Sequence, residues 1–313
     1  MSVGTRGSLW RCFAVSAVAV LTATGCTSAG EIGVGRSYVA RPTITVASFD
    51  FPESRLLAEL YGQALRARGY PVSVVANAGA RELVEPALSR GLVDLVPEYA
   101  GSALEFLTLG ATRASSDVGA TYAAVSSTFA RRGLVALHPA PAQDGNAVVV
   151  TQRTASDHGL RTISDLAAIA PRLTFGGPPE CPSRPFCLLG LERVYGLRFR
   201  QFYPLDTGGP VTLQALRANE IDVALLFSTD PGIRRYGLVV LGDDRGLQPA
   251  ENVVPVVRRP VLDRYGPALA RVIDAVSAEL SSTTLSELDD QVGSDGARAA
   301  AAAQRWLQSH GLG

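Results

Sequence analysis

The chain has 313 residues with 29 basic and 29 acidic side chains, and every basic one is Arg. The missing Lys excludes GK[ST] phosphate loops and Schiff-base catalysis, which need a compact amine on a flexible stem. A formal charge of zero argues against non-specific nucleic-acid binding, and 47% apolar with 19% charged residues is the composition of a globular chain of one large or two medium domains.

Arg6 and Arg11 precede the apolar run from Cys12 to Leu21, and the small residues Ala23, Thr24 and Gly25 lead to Cys26. Residues 1–25 therefore read as a secretory signal, since a membrane span needs roughly 20 apolar residues and this run is shorter. Gly25-Cys26 resembles a bacterial lipobox, in which the Cys is lipidated and becomes the new N-terminus. Ala23 stands where that motif usually has Leu, and ordinary cleavage or a short uncleaved anchor are the alternatives. Residues 26–41, rich in Ser, Gly and other small residues, read as a flexible tether.

Along the rest of the chain, strand and helix patterns alternate. Thr43–Ala47 reads as a strand, and Leu56, Leu57, Leu60, Tyr61, Ala64 and Leu65 repeat at helical spacing until Gly69. A strand at Val72–Val75, a helix at Arg81–Arg90, a strand at Val93–Val96, a helix at Val118–Arg131 and a strand at Leu134–Leu137 follow. A similar series then restarts, helical at Ile163–Ala170, Leu188–Tyr195 and Val211–Ala218, and extended at Leu173–Phe175, Phe199–Tyr203 and Ile221–Phe227. Strands at Leu238–Leu241 and Val253–Val257 precede one helix whose apolar face runs from Val261 to Val276. Repeated units of this kind imply α/β architecture, with mostly parallel sheets flanked by helices.

Cys181 and Cys187, with five residues between them in a Pro-rich loop, are expected to form a disulfide in an exported chain. His138, His158 and His310 are not spaced to complete a metal site, and no cofactor is expected. One internal echo stands out: Leu88 to Tyr99 reads like Leu216 to Phe227. Each is a helix end, a turn residue (Gly91 or Asn219), a β-branched residue with Asp (Asp94 or Asp222), and a strand ending in an aromatic ring. Open α/β sheets bind ligands at the carboxyl ends of their strands. Tyr99 and Phe227 are therefore candidates to face each other across a cleft, or else are ordinary core rings.

The stretches Ala47–Glu53, Asn77–Ala80, Asp94–Gly101, Thr162–Leu166, Leu173–Gly176, Leu213–Leu216 and Ser228–Asp230, in that order, resemble the osmoprotectant-binding proteins of ABC importers. The resemblance runs from about Thr43 to Leu312. It implies a type II periplasmic-binding-protein fold: two lobes, joined by two crossovers, that close on a ligand like a hinge. The crossovers fall near Asn146 and Thr229–Tyr236, giving one lobe of residues 42–145 plus 237–313 and a second of 146–236. The resemblance further implies an ABC permease as partner, a monomer anchored by lipid on the extracytoplasmic face, and a quaternary ammonium ligand of the glycine betaine/choline class. In such proteins aromatic rings hold the trimethylammonium head by cation–π attraction, the natural device for a cation with no hydrogen to donate.

Tyr99 matches a position of that cage, and Phe227 stands where relatives commonly have Tyr. The Lys and Thr that hold a ligand carboxylate in relatives are replaced by Phe49 and Arg81; Ala78 and Cys181 stand where some relatives contribute a ring. Arg81, at a helix start, suits bidentate carboxylate binding or is a solvated first-turn residue. Phe49 and Phe51 add ring faces or pack under the following helix, and Phe186 is a cage member or the filler of the disulfide loop. Ser48, Asn146 and Thr229 are polar candidates, along with Ser228. Asp94 and Asp222 are expected to satisfy backbone donors. With the carboxylate clamp altered, an aromatic or polyphenolic solute is an alternative ligand, and a lipid-anchored sensor an alternative role. No GxSxG elbow occurs and the His residues suggest no triad, so the chain is not expected to be an enzyme.

Overall fold

Short β-branched runs set the strands, and apolar residues at 3.6 spacing set the helices. The computed structural model describes residues 43–293 and 296–313; the signal segment, Cys26 and the tether lie outside the described residues. The chain first lays down β1 (Ile44–Ala47), α1 (Pro52–Ala67), β2 (Val72–Val75), α2 (Arg81–Arg90), β3 (Leu95–Tyr99), α3 (Ala100–Thr108), α4 (Val118–Ala130) and β4 (Leu134–Ala136). A second series follows: β5 (Asn146–Val150), α5 (Gln152–His158), β6 (Thr174–Gly177), α6 (Leu188–Tyr195), β7 (Gln201–Pro204), α7 (Pro210–Arg217), β8 (Val223–Phe227), α8 (Pro231–Arg235) and β9 (Val239–Val240). The chain then returns through β10 (Val253–Arg258), α9 (Arg259–Tyr265), α10 (Pro267–Glu279), α11 (Ser282–Val292) and α12 (Gly296–Ser309).

Two five-stranded sheets result, in the orders β2-β1-β3-β10-β4 and β7-β6-β8-β5-β9. Each has a parallel trio at one side and one antiparallel strand inserted beyond it, β10 beside β3 and β5 beside β8. The inserted strand is in each case the one that follows a passage between the lobes. The internal echo is structural: Asp94 and Asp222 accept the backbone N–H of Thr45 and Thr174 at 3.0 and 2.7 Å, each tying its strand to the neighbouring one. Gly91 and Asn219 supply the left-handed turn before each strand, with φ of 78° and 58°.

In the first lobe the whole apolar face of α1, from Leu56 to Leu65, is buried, and the helix packs on α10, α11 and α12. The Tyr61 hydroxyl meets Ser277 at 3.0 Å, so the one polar atom on that face has a partner. No helix among the described residues is long and apolar enough to cross a membrane.

Three expectations need correction. The single helix read over Val261–Val276 is two helices, because Gly266 takes φ 76° and Pro267 starts a new helix. Ile163–Ala170 holds a 3-10 turn over Ile163–Ala168 rather than an α-helix. The return crossing is not at Thr229–Tyr236: β9 still pairs with β5, and Leu241 and Leu247 pack in the second lobe's core. The chain leaves that lobe only near Gln248–Asn252, where it runs antiparallel to the outward crossing: Asp144 N–H donates to Glu251 at 3.1 Å, and Val253 N–H to Ala142 at 3.1 Å.

Candidate functional site

Because Tyr99 and Phe227 end β3 and β8, both rings emerge at the carboxyl edges of their sheets, where a cavity of about 630 Å³ lies between the lobes. Phe49, Phe51, Arg81, Tyr99, Asn146, Phe186 and Phe227 all line it. The loop from β1 to α1 places two rings in its wall. Phe49 and Phe51 lie parallel with centroids 6.0 Å apart, and Phe51 is 6.0 Å from the Tyr99 ring and 5.0 Å from that of Phe227. Phe49 and Phe51 belong to the core under α1 and also line the cavity.

Arg81 opens α2, and its guanidinium is bound by Glu98, with Nη2 at 2.9 Å and Nε at 3.2 Å from both carboxylate oxygens. Burial opposes the charge on Arg81, but Glu98, Glu251 and Glu82 together more than offset it. The group lies 5.1 Å from the Phe49 ring, so it stands in the cleft already neutralised by a partner.

From the second lobe, the Cys181–Cys187 disulfide closes the loop that carries Arg184 and Phe186. Arg184 crosses to the first lobe, 2.8 Å from Glu82 and over the Phe106 ring. Asn146 donates its side-chain amide to the Phe186 carbonyl at 3.0 Å, so it holds that loop against the cleft.

Two expected residues are placed elsewhere. Ser48 is fully buried and accepts Asn77 N–H at 2.9 Å, which takes it out of the cavity. Thr229 turns from the cleft to a smaller cavity of about 200 Å³ behind the Phe51 and Phe227 rings, and its hydroxyl donates to Glu53 at 2.8 Å. Ala78 lies outside the lining, whereas Cys181 borders it.

Several charged residues at the site are not among the candidates the sequence singles out. Glu53 accepts the Tyr99 hydroxyl at 2.6 Å, and burial, with the nearby Asp289 charge, pushes its carboxyl well above the ordinary range. Glu251, on the return crossing, accepts the N–H groups of Gly101 and Ser102 at 3.1 and 3.0 Å and so occupies the positive end of α3. Burial pushes it up to about 7. Arg184 has one available sign, as the only charged residue between the two cysteines.

Two α/β lobes joined by paired crossings, with an aromatic cleft between them, define a substrate-binding protein that holds a small molecule between its halves. The chain belongs to the family described as the substrate binding domain of ABC-type glycine betaine transport systems, whose model matches residues 42–309. The glycine-betaine-binding protein of Pseudomonas aeruginosa is 29% identical over 281 residues, covering 86% of this chain and 88% of that one. The glycine betaine-binding protein YehZ of Escherichia coli K12 is 27% identical, over 87% and 92% of the two chains. The crystal structure of a glycine betaine/carnitine/choline ABC transporter aligns with a TM-score of 0.69 at 23% identity, over 86% of this chain and 99% of that one, and shows the same fold. The chain is therefore an extracytoplasmic substrate-binding component of an ABC importer, with a small molecule and a permease as its partners.

Proposed function

We propose that this protein captures a quaternary ammonium osmoprotectant of the glycine betaine/choline class in the interlobe cleft and delivers it to its permease. The observation that carries this reading is the group of four neighbouring rings, Phe49, Phe51, Tyr99 and Phe227, that lines the cavity. Ring faces attract a cation that offers no hydrogen bond. Arg81 is held by Glu98, so the head group dominates recognition and a ligand carboxylate adds little. The protein acts as a monomer by binding alone, without covalent chemistry, and Cys26 carries a lipid that tethers it to the membrane.

Calorimetric titration of the protein lacking residues 1–25 tests this. Choline and glycine betaine bind within roughly tenfold of each other, and Tyr99→Ala weakens both by at least about tenfold. Binding of phenolic solutes with no response to either amine would overturn the ligand class. The lipid is checked separately, by the mass of the N-terminal peptide from membrane-bound protein.

A further inference from the structure

Behind the ring wall, where α1 begins and β8 ends, the carboxyl groups of Glu53, Asp144 and Asp289 are buried together. Glu53 takes the Tyr99 hydroxyl on one oxygen, at 2.6 Å, and the Thr229 hydroxyl on the other, at 2.8 Å. Tyr99 is a wall of the cleft in the first lobe and Thr229 belongs to the second, so one side chain spans both the ring and the lobe boundary. Asp144, on the outward crossing, accepts Thr229 N–H at 3.0 Å and the Ser228 hydroxyl at 3.1 Å. Glu53 and Asp289 border the same smaller cavity, and the Asp289 charge pushes the Glu53 carboxyl up. One oxygen of Asp144 and one of Asp289 are buried with no hydrogen-bond partner among the described residues, an arrangement that disfavours the ionised form.

We propose that Glu53 is a positioning residue of the cleft: it fixes the Tyr99 ring against Thr229 of the second lobe, and closing the cleft takes up a proton. The proposal rests on the cleft being the ligand site. The titratable groups facing Glu53 are Tyr99 from β3, Asp144 from the outward crossing and Asp289 from α11; Asp230 also acts on Asp289. Arg235, which borders the same smaller cavity, is paired with Asp290.

Burial raises Glu53, Asp144 and Asp289 well above their ordinary values of 4.5, 3.8 and 3.8, and the charges they place on one another raise them further. An opened form in which water reaches these groups returns them towards those values. The closed form therefore binds more protons than the open one, and closure is favoured at low pH. It weakens as pH rises through the raised values, where the protons leave and like charges face each other.

Choline, which has no carboxyl group to titrate, is the probe, measured by calorimetry from pH 5 to pH 9. Affinity of the unmodified protein falls by about tenfold or more across that range. In Glu53→Gln the amide still accepts from Tyr99 and donates to the Thr229 oxygen, so low-pH affinity stays within about threefold and the profile flattens. Glu53→Ala and Thr229→Val, which remove the joint, each lose about tenfold at low pH. A Glu53→Gln profile parallel to that of the unmodified protein, or a Thr229→Val variant that binds as tightly as it, overturns the proposal.

Small-angle scattering without ligand separates this from the ligand assignment. The radius of gyration of the unmodified protein rises with pH, and that of Glu53→Gln does not. If no form binds choline yet scattering follows this pattern, the ligand class falls and the joint stands. If choline binds but neither measurement depends on Glu53, the proposal falls.

Discussion

Glu251 and Glu98 show how single acidic side chains shape this cleft without being part of its ring wall. Glu98 is nearly inaccessible and serves Arg81 and its own neighbour, the N–H of Tyr99 at 3.1 Å, so it fixes the base of α2 and the end of β3 together. Removing Arg81 alone would leave that carboxylate buried without its partner, so its loss would report chiefly on stability. Glu251 lies where a charge suits the start of α3 but where water does not reach. Its folded value of about 7 exceeds the ordinary 4.5, so the folded protein binds this proton more tightly than the unfolded chain. The resulting stability is complete below 4.5 and is lost as pH rises to 7 and beyond, a change on the order of 3 kcal/mol at most. Glu251→Gln, which keeps an acceptor for the two N–H groups, is expected to remove this part of the pH dependence. Chemical denaturation at pH 5 and pH 8 checks it, and equal differences in the two proteins would refute it.

The disulfide loop and α6 are packed backbone to backbone. A β-carbon on Gly190 would lie 1.8 Å from the Pro185 carbonyl oxygen, so any larger residue must push the loop away. Gly190→Ala is expected to cost about 1–3 kcal/mol of stability. It should also weaken choline binding, because the displaced loop carries Phe186 and Arg184 into the cleft. Thermal unfolding and titration read the two effects, and an unchanged variant would show that the loop yields freely.

Elements with strong local signals are legible in the amino-acid sequence alone. The helices Arg81–Arg90 and Leu188–Tyr195 are each bounded by a left-handed glycine, Gly91 and Gly196, and their limits follow from the residue pattern. The two-residue strand Val239–Val240 has too little pattern to show which lobe it joins, so the sequence places the return crossing too early. The rings of the cleft are legible from the echo and the family motifs. Ser48 and Thr229 sit at suitable chain positions but point to Asn77 and Glu53, and sequence does not record side-chain direction. Glu53 is invisible as a joint in the sequence because its partners are 46 and 176 residues away.

At the scale of the whole molecule, contacts between the two lobes include the paired crossings, the Phe51–Phe227 ring contact, the Arg235–Asp290 pair, the Arg184–Glu82 ion pair at the cleft mouth and the carboxyl group behind the rings. The last two are side-chain contacts that opening can break one at a time, whereas the crossings are backbone joined to backbone. Ala140 and Asp144 donate to Val253 and Glu251, and Val253 donates back to Ala142, all at 2.8–3.1 Å. A ribbon of this kind yields in twist far more readily than it splits. The molecule therefore carries its own clock in its amides. Deuterium should enter at Thr229, whose N–H is held by a carboxylate across the boundary, each time the lobes part, while Asp144 and Val253 stay protected until the protein unfolds as a whole. The ratio of those exchange rates, followed by mass spectrometry with and without choline, counts openings directly; equal rates at all three amides would mean that the lobes part only by global unfolding.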